Sequence, residues 1–342
     1  MDKLLRRDFL GVLAAAVLPY GSALATDDKV AQAPPSAPNL PKSAQPQISK
    51  GFAAQPAQRI ASKKFADSPV ILKVRPGSLV EGVRITDVEM LRSGRLVSCD
   101  GDKGHDIMSS APGLRVDRVR SMDARSAGLI RLRGRSDNVI IRDVRYQSSA
   151  VNTDRKKISA VIQLGGKSDQ DIGKNILIER VYAEGMISDY DGFLNGDIFA
   201  DEAGWSGVVY RNCYGKRASD AIFDLKSQNT VLDRCTAEGA RRNFKMWYDK
   251  RSTHLISINP GQTGNGRAAH YFAKGSDKEL SVQVIEHIDF IADMPVPLIV
   301  VEEVPVEIRI RSYTCQVPAG TPIIGGNTDL AKVIWETGAP RL

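Results

Sequence analysis

A seven-residue phrase recurs along the chain and restricts it to a stacked architecture. Asn138-Val139-Ile140-Ile141-Arg142-Asp143-Val144 matches Asn175-Ile176-Leu177-Ile178-Glu179-Arg180-Val181. It also matches Gly207-Val208-Val209-Tyr210-Arg211-Asn212-Cys213 and Asn229-Thr230-Val231-Leu232-Asp233-Arg234-Cys235. Earlier copies run Gly82–Val88 and Gly113–Val119, and fainter ones begin near His254, Leu280 and Pro305. Counted from Val83, successive copies are 31, 25, 37, 32 and 22 residues apart. Each copy has alternating apolar positions, two polar residues and then a small apolar one, which describes a short strand. A strand-bearing period of roughly 20–40 residues marks a solenoid, in which each repeat buries its apolar face against its neighbours. β-branched interior positions and Asn or Gly at the corners fit such coils.

A second strand follows each phrase, as in Gly128–Leu132, Ala160–Leu164 and Ala221–Leu225. Alternation sends Ile130, Leu132, Ile162, Leu164, Phe223 and Leu225 inward, and Arg131, Gln163 and Asp224 outward. A β-propeller fits less well, because a blade needs four strands in about 40–50 residues and more even spacing. Over residues 70–320 the phrasing resembles the right-handed parallel β-helix of the pectate-lyase-like superfamily. The expected fold is therefore all-β, a single-domain solenoid of about nine coils. Exposed end strands need caps, expected at 60–80 and at 318–342 with Trp335.

The first 25 of the 342 residues read as an export signal: basic Lys3, Arg6 and Arg7, an apolar stretch from Phe9 to Leu18, and a small-x-small site at Ala23-Leu24-Ala25. Arg6-Arg7-Asp8-Phe9-Leu10 resembles a twin-arginine signal, which carries folded proteins across a membrane. The expected location is periplasmic or secreted. Residues 26–66 hold six of the 17 prolines, nine Ala and five Gln. Such a stretch buries too little to offset its ordering entropy and is expected to be a flexible spacer, leaving 67–342 for the β-helix and its caps. No apolar run reaches the roughly 18 residues of a spanning helix.

Cys213 and Cys235 share one place in adjacent phrases. Either a disulfide or two small apolar residues of an interior ladder would fit there, and folding before export favours the ladder. His105, His254, His270 and His287 are scattered, each read as a surface or corner residue, and no zinc-ligand spacing occurs. Gly165-Gly166-Lys167-Ser168 resembles the end of a phosphate loop, but Val161 stands where that motif needs Gly.

Chemistry concentrates in 189–248, which holds ten of the 21 aromatic residues. Asp220, Asp224 and Lys226 alternate along one strand and so share its outer face. Aligning Phe244 with Phe223 in the next coil puts Arg241 beside Asp220, Lys245 beside Asp224 and Trp247 beside Lys226. The resemblance implies a polysaccharide lyase acting on a uronate-containing glycan. Such an enzyme needs a base, Lys or Arg on this fold, and a cation that stabilises the enolate-like charge. The candidates are Lys245 or Lys226 as base, Arg241 and Arg242 to counter charge, and Asp197, Asp220 and Asp224 to hold Ca²⁺. Trp247, Tyr214 and Tyr190 are candidate sugar platforms. The alternative is a solvated ladder of cross-coil salt bridges, Asp224 with Lys245 and Asp220 with Arg241.

Eight arginines lie between Arg118 and Arg145, with Arg131 and Arg133 on one outer face. Such a face attracts a polyanion or simply confers solubility. The net charge of +7 falls only to +6 (7 − 1) once a signal of three bases and two acids is removed. An acidic polysaccharide is the expected partner, rather than nucleic acid, for a chain expected to act as a monomer. A glycoside hydrolase on the same fold is the enzyme alternative. Asn152-Thr153-Asp154 matches one motif of the polygalacturonase-like enzymes, but no Asp-Asp follows one coil later and no Gly-His-Gly occurs. A carboxylate pair could still come from Asp220 with Asp224 or Asp197. A non-catalytic glycan-binding or assembly protein is the remaining alternative.

Overall fold

Two all-parallel sheets face each other, and the chain alternates between them as it advances. The computed structural model describes residues 35–99, 109–125, 128–154, 159–166, 173–261, 267–276 and 279–342. Strands Arg84–Leu91, Arg115–Met122, Ile140–Gln147, Lys174–Ser188, Lys250–Ile258, Ser281–Ile291 and Val306–Gln316 lie in the larger sheet. Between them, Arg95–Cys99, Ile130–Leu132, Ser159–Leu164, Gly196–Asp201, Ala221–Leu225, Arg242–Trp247 and Ala269–Lys274 build the smaller sheet. Each strand pairs with its counterpart one coil earlier and one coil later, which is a parallel β-helix.

Backbone sterics explain the phrase. Its first residue is left-handed in every strong copy: Gly82, Gly113, Asn138, Asn175, Gly207 and Asn229 have φ between 52° and 72°. Its sixth residue is left-handed too: Asp87, Arg118, Asp143, Arg180, Asn212 and Arg234 have φ between 49° and 55°. Gly and Asn tolerate that region best, so they mark the first corner. At the second corner a ladder of side-chain bonds holds the residues in place. Arg118 Nε donates to Asp87 Oδ1 across 2.7 Å, Arg180 Nη2 to Asp143 Oδ2 across 2.9 Å, and Arg234 Nε to Asn212 Oδ1 across 2.9 Å. The small apolar residue that closes each phrase, Val88 to Cys235, is buried.

The interior is a stack of like residues. Phe199, Phe223, Phe244 and Tyr271 occupy successive rungs, with ring centroids 4.7, 5.3 and 6.4 Å apart, and Tyr210 packs edge-on to the first two. Such pairs add about 0.5–1.5 kcal/mol each beyond their buried area. Cys213 and Cys235 belong to this interior as buried thiols that form no disulfide.

The stack begins before residue 67. Arg59–Ala66 is a full strand paired with Arg84–Leu91, and Pro46–Gln47 and Phe52–Ala53 add short strands before it. Residues 46–66 are therefore part of the coil stack and not a spacer. Only Ile60 and Phe65 of the Arg59–Ala66 strand are buried, so its apolar signal is thin among Lys63, Lys64 and Arg59. Ser36 and Asn39 donate backbone N–H groups to Asp143 and Asp87 of the corner ladder. The 1–25 signal and the glycine loop beyond Gly166 lie outside the described residues.

Candidate functional site

One cross-coil row on the outer face of the smaller sheet organises the site. Ser98, Arg131, Gln163, Ala200, Asp224, Lys245 and Phe272 are register partners in succession. The register sets Asp224 against Lys245 and Phe223 against Phe244. Arg131 lies on this row, three rungs or about 14 Å from Asp224. Arg133 follows the strand Ile130–Leu132 and is not in the row.

Charges converge around Lys245. Its Nζ donates to Asp220 Oδ2 across 3.0 Å and to Asp224 Oδ2 across 2.9 Å. Asp220 Oδ1 accepts from Arg241 Nε and Arg242 Nη1, each at 3.0 Å. Asp224 Oδ1 accepts from the indole Nε1–H of Trp247 at 3.0 Å. Asp197 Oδ1 accepts the backbone N–H of Ala221 at 3.0 Å, and one oxygen from each of the three acids lies within 4.8 Å of the others. Lys226 Nζ bonds both oxygens of Glu202 at 3.2 Å, and Lys274 Nζ lies 4.5 Å from the centre of the Trp247 ring. Arg242 stacks over Phe272 at 4.6 Å. Lys274 and Phe272 enter the site from the strand Ala269–Lys274, which no repeat phrase in the sequence marks. The pairing of Lys274 with Trp247 by register was the available signal.

The acids are nearly sealed from water and the cations are only somewhat more exposed, Lys245 and Arg242 at 13% and 14%. Asp220 and Asp224 side chains are 3% and 7% exposed, against 18% for Arg241 and 25% for Lys226. A surface of guanidinium and ammonium groups edged by an indole attracts anions and sugar faces.

Protonation states separate within the cluster. Burial, reinforced by the charges of Asp224 and Asp220, pushes the Asp197 carboxyl well above the ordinary range. Burial would raise Asp220 too, but Lys245, Arg241 and Arg242 outweigh it and hold its pKa low. Burial opposes the charge on Lys245, yet Asp224, Asp220 and Asp197 outweigh that and raise its pKa. Lys226 is raised in the same way by Asp224 and Glu202. Lys250 shows the reverse: burial lowers it to about 8. Its Nζ donates inward, to Ser227 O at 2.7 Å.

The donor set does not favour the Ca²⁺ expected from the sequence. Three carboxyl groups converge as a cation requires, but Lys245 supplies the positive charge between Asp220 and Asp224. The other oxygens of Asp220 and Asp224 accept N–H groups. Ca²⁺ would have to displace the ammonium, so this arrangement suits a nitrogen cation better than a metal ion.

Other expected residues lie apart. Tyr190 is buried at 5% exposure, its hydroxyl bonded by Asn152 Nδ2 at 3.0 Å, so it offers no platform for a sugar. Asn152 of the Asn-Thr-Asp sequence is buried there and accepts the Asp154 backbone N–H, which makes that motif a corner. Tyr214 stacks on Tyr182 with centroids 4.7 Å apart, but on the larger sheet, away from Trp247. Three of the eight arginines of the run pair with acids, Arg118 and Arg142 with Asp117 and Arg125 with Asp67, and Arg118 and Arg142 lie on the larger sheet. The run is no continuous cationic face, because the aspartates of neighbouring phrases interleave with it.

Two of the histidines come together in space. His254 and His287 are register partners on the larger sheet. His270 is fully buried rather than at a surface, with Nδ1 2.9 Å from Ser257 Oγ, and burial lowers its pKa to about 4. His105 lies outside the described residues.

Fold and site together define a parallel β-helix with a buried acid cluster under a cationic, aromatic-edged surface. No protein-family model, curated protein or solved structure matches the chain.

Proposed function

We propose that the protein is an exported, monomeric enzyme that cleaves an acidic polysaccharide by acid–base catalysis at the Asp197–Asp220–Asp224 cluster. The observation that carries this reading is the convergence of three carboxyl groups from two adjacent coils within 4.8 Å, beneath cations and an indole. Neighbouring groups whose environments push their pKa values apart divide into acid and base. Asp197, favoured in its protonated form, donates a proton to the glycosidic oxygen. Asp220, ionised, attacks the anomeric carbon from the opposite side as the C–O bond breaks, and water then hydrolyses the glycosyl–enzyme ester; carboxyl groups this close leave no room for the water that an inverting base would activate. Trp247 stacks on a sugar ring, and Arg131 binds the chain three rungs away.

An anionic substrate has a second role. Its carboxylates compete for Arg241, Arg242 and Lys245 and draw them off the aspartates, which exposes the reacting groups. A neutral glycan cannot make that exchange.

β-Elimination, which the resemblance implies, is the second reading. Arg241, Arg242 and Lys245 together suit neutralisation of a uronate carboxylate. Against it, Lys245 and Lys226 have raised pKa values, and a base must be deprotonated to act. Product analysis separates the two. Hydrolysis releases reducing ends alone, and elimination also leaves unsaturated ends that absorb in the ultraviolet.

A further inference from the structure

We propose that His254, His287 and Asp289 form a mononuclear site for a divalent transition ion of the Zn²⁺ type, on the larger sheet and separate from the acid cluster. His254 lies in the strand Lys250–Ile258 and the other two in the neighbouring strand Ser281–Ile291. His254 Nε2 is 2.7 Å from Asp289 Oδ2, and His287 Nε2 is 3.1 Å from Asp289 Oδ1. The ring planes stand at 89° in an edge-to-face contact with centroids 4.7 Å apart, and both Nε2 atoms reach the same carboxylate.

A hydrogen-bond chain fixes the tautomer of His287. Ser312 Oγ donates to Glu286 O across 2.9 Å, so it accepts from His287 Nδ1–H across 2.8 Å. With the hydrogen on Nδ1, the neutral ring presents a lone pair at Nε2. That lone pair faces a carboxylate oxygen, and two such atoms at 3.1 Å need a positive charge on or between them. Metal-binding histidines are held in this way by a bond on the far nitrogen. Thr314 Oγ1 donates to Asp289 Oδ1 and orients the third ligand.

The dimensions and the chemistry agree. The ligand atoms lie within 4.8 Å of one another. Ligand atoms on tetrahedral Zn²⁺ are about 3.4 Å apart for bonds of about 2.1 Å, so small side-chain shifts close the site. Two imidazoles and one carboxylate select Zn²⁺ or its transition-metal neighbours over Ca²⁺ and Mg²⁺. The three side chains are 28%, 31% and 18% exposed, which leaves a fourth position open to water. The ion would also cross-link adjacent coils, so binding raises stability.

The test is titration of the metal-free, untagged full chain with ZnCl₂ by calorimetry, alongside thermal melts. One ion per chain and a raised Tm are expected, and CaCl₂ gives neither. His254→Gln with His287→Gln weakens binding at least about a hundredfold, and Ser312→Ala by about tenfold. X-ray absorption on the Zn²⁺-loaded wild type, which shows two imidazole ligands if the site is real, keeps the test independent of how the variants fold. A wild type that takes up no Zn²⁺, binding that survives in a folded double variant, or a spectrum without two imidazoles overturns the proposal.

Discussion

Lys245 donates to Asp224 across 2.9 Å from one coil to the coil before it, with the two side chains 13% and 7% exposed. Breaking a buried pair from one side leaves a charge without its counterion. Lys245→Ala should therefore cost about 3 kcal/mol, at the lower end of the range for buried pairs, because Arg241, Arg242 and Trp247 still serve the aspartates. Denaturant unfolding reads this. A double-mutant cycle with Asp224→Asn should recover much of the loss, and independent, additive effects would show that the two do not act as a pair.

Asp197 and Asp220 should respond to pH in opposite senses. The folded-state pKa of Asp197 is raised, so its contribution to stability is full below the unfolded pKa and is lost as pH rises through the folded one. That of Asp220 is lowered, so its contribution is present above the unfolded pKa and is lost as pH falls through the folded one. Asp197→Asn, which retains an oxygen to accept the Ala221 N–H, should gain stability relative to wild type as pH rises. Melting curves across a pH series check this, and a constant difference at every pH would contradict the raised pKa.

Trp247→Ala should weaken binding of an acidic oligosaccharide about tenfold, as loss of an aromatic anchor costs about 1–2 kcal/mol. The same change should leave the Arg131 end of the row intact. Affinity measurements on short and long oligosaccharides, with Arg131→Ala as the comparison, read both effects. Equal loss for Tyr214→Ala would move the binding face to the larger sheet.

Left-handed corners predict a substitution pattern. Asn229, exposed and at φ 52°, should accept Gly with little change. Asn229→Val should lose about 1–2 kcal/mol, because a β-branched side chain clashes in that region. Equal stability of the two variants would contradict the corner geometry.

The repeat phrase made the coil legible because each of its positions answers to a local steric or burial demand. The left-handed corners call for Gly or Asn, and the interior calls for Val, Ile or Cys. The alignment of Phe223 with Phe244 carried the same logic to Asp224 and Lys245, since parallel register turns a sequence offset into a contact. Legibility failed where the demand was not local. Arg59–Ala66 is a strand because a neighbouring coil pairs with it, not because of its own apolar content. Tyr190 looked available because its burial depends on Asn152 and Ser159 from the coil before. His254 and His287 meet through a 33-residue coil (287 − 254) for which no short motif exists. The charge state of Lys245 depends on three acids whose distances only the folded chain sets.

The most direct test is to incubate wild type and Asp197→Asn with a panel of uronate-containing polysaccharides, reading reducing ends and ultraviolet absorbance together. The expected result is new reducing ends without absorbance from the wild type, a loss of at least about a hundredfold in the variant, and no turnover of neutral glycans. Unsaturated products from the wild type, undiminished activity in a folded Asp197→Asn, or no cleavage of any acidic glycan would contradict the assignment of Asp197 as the acid.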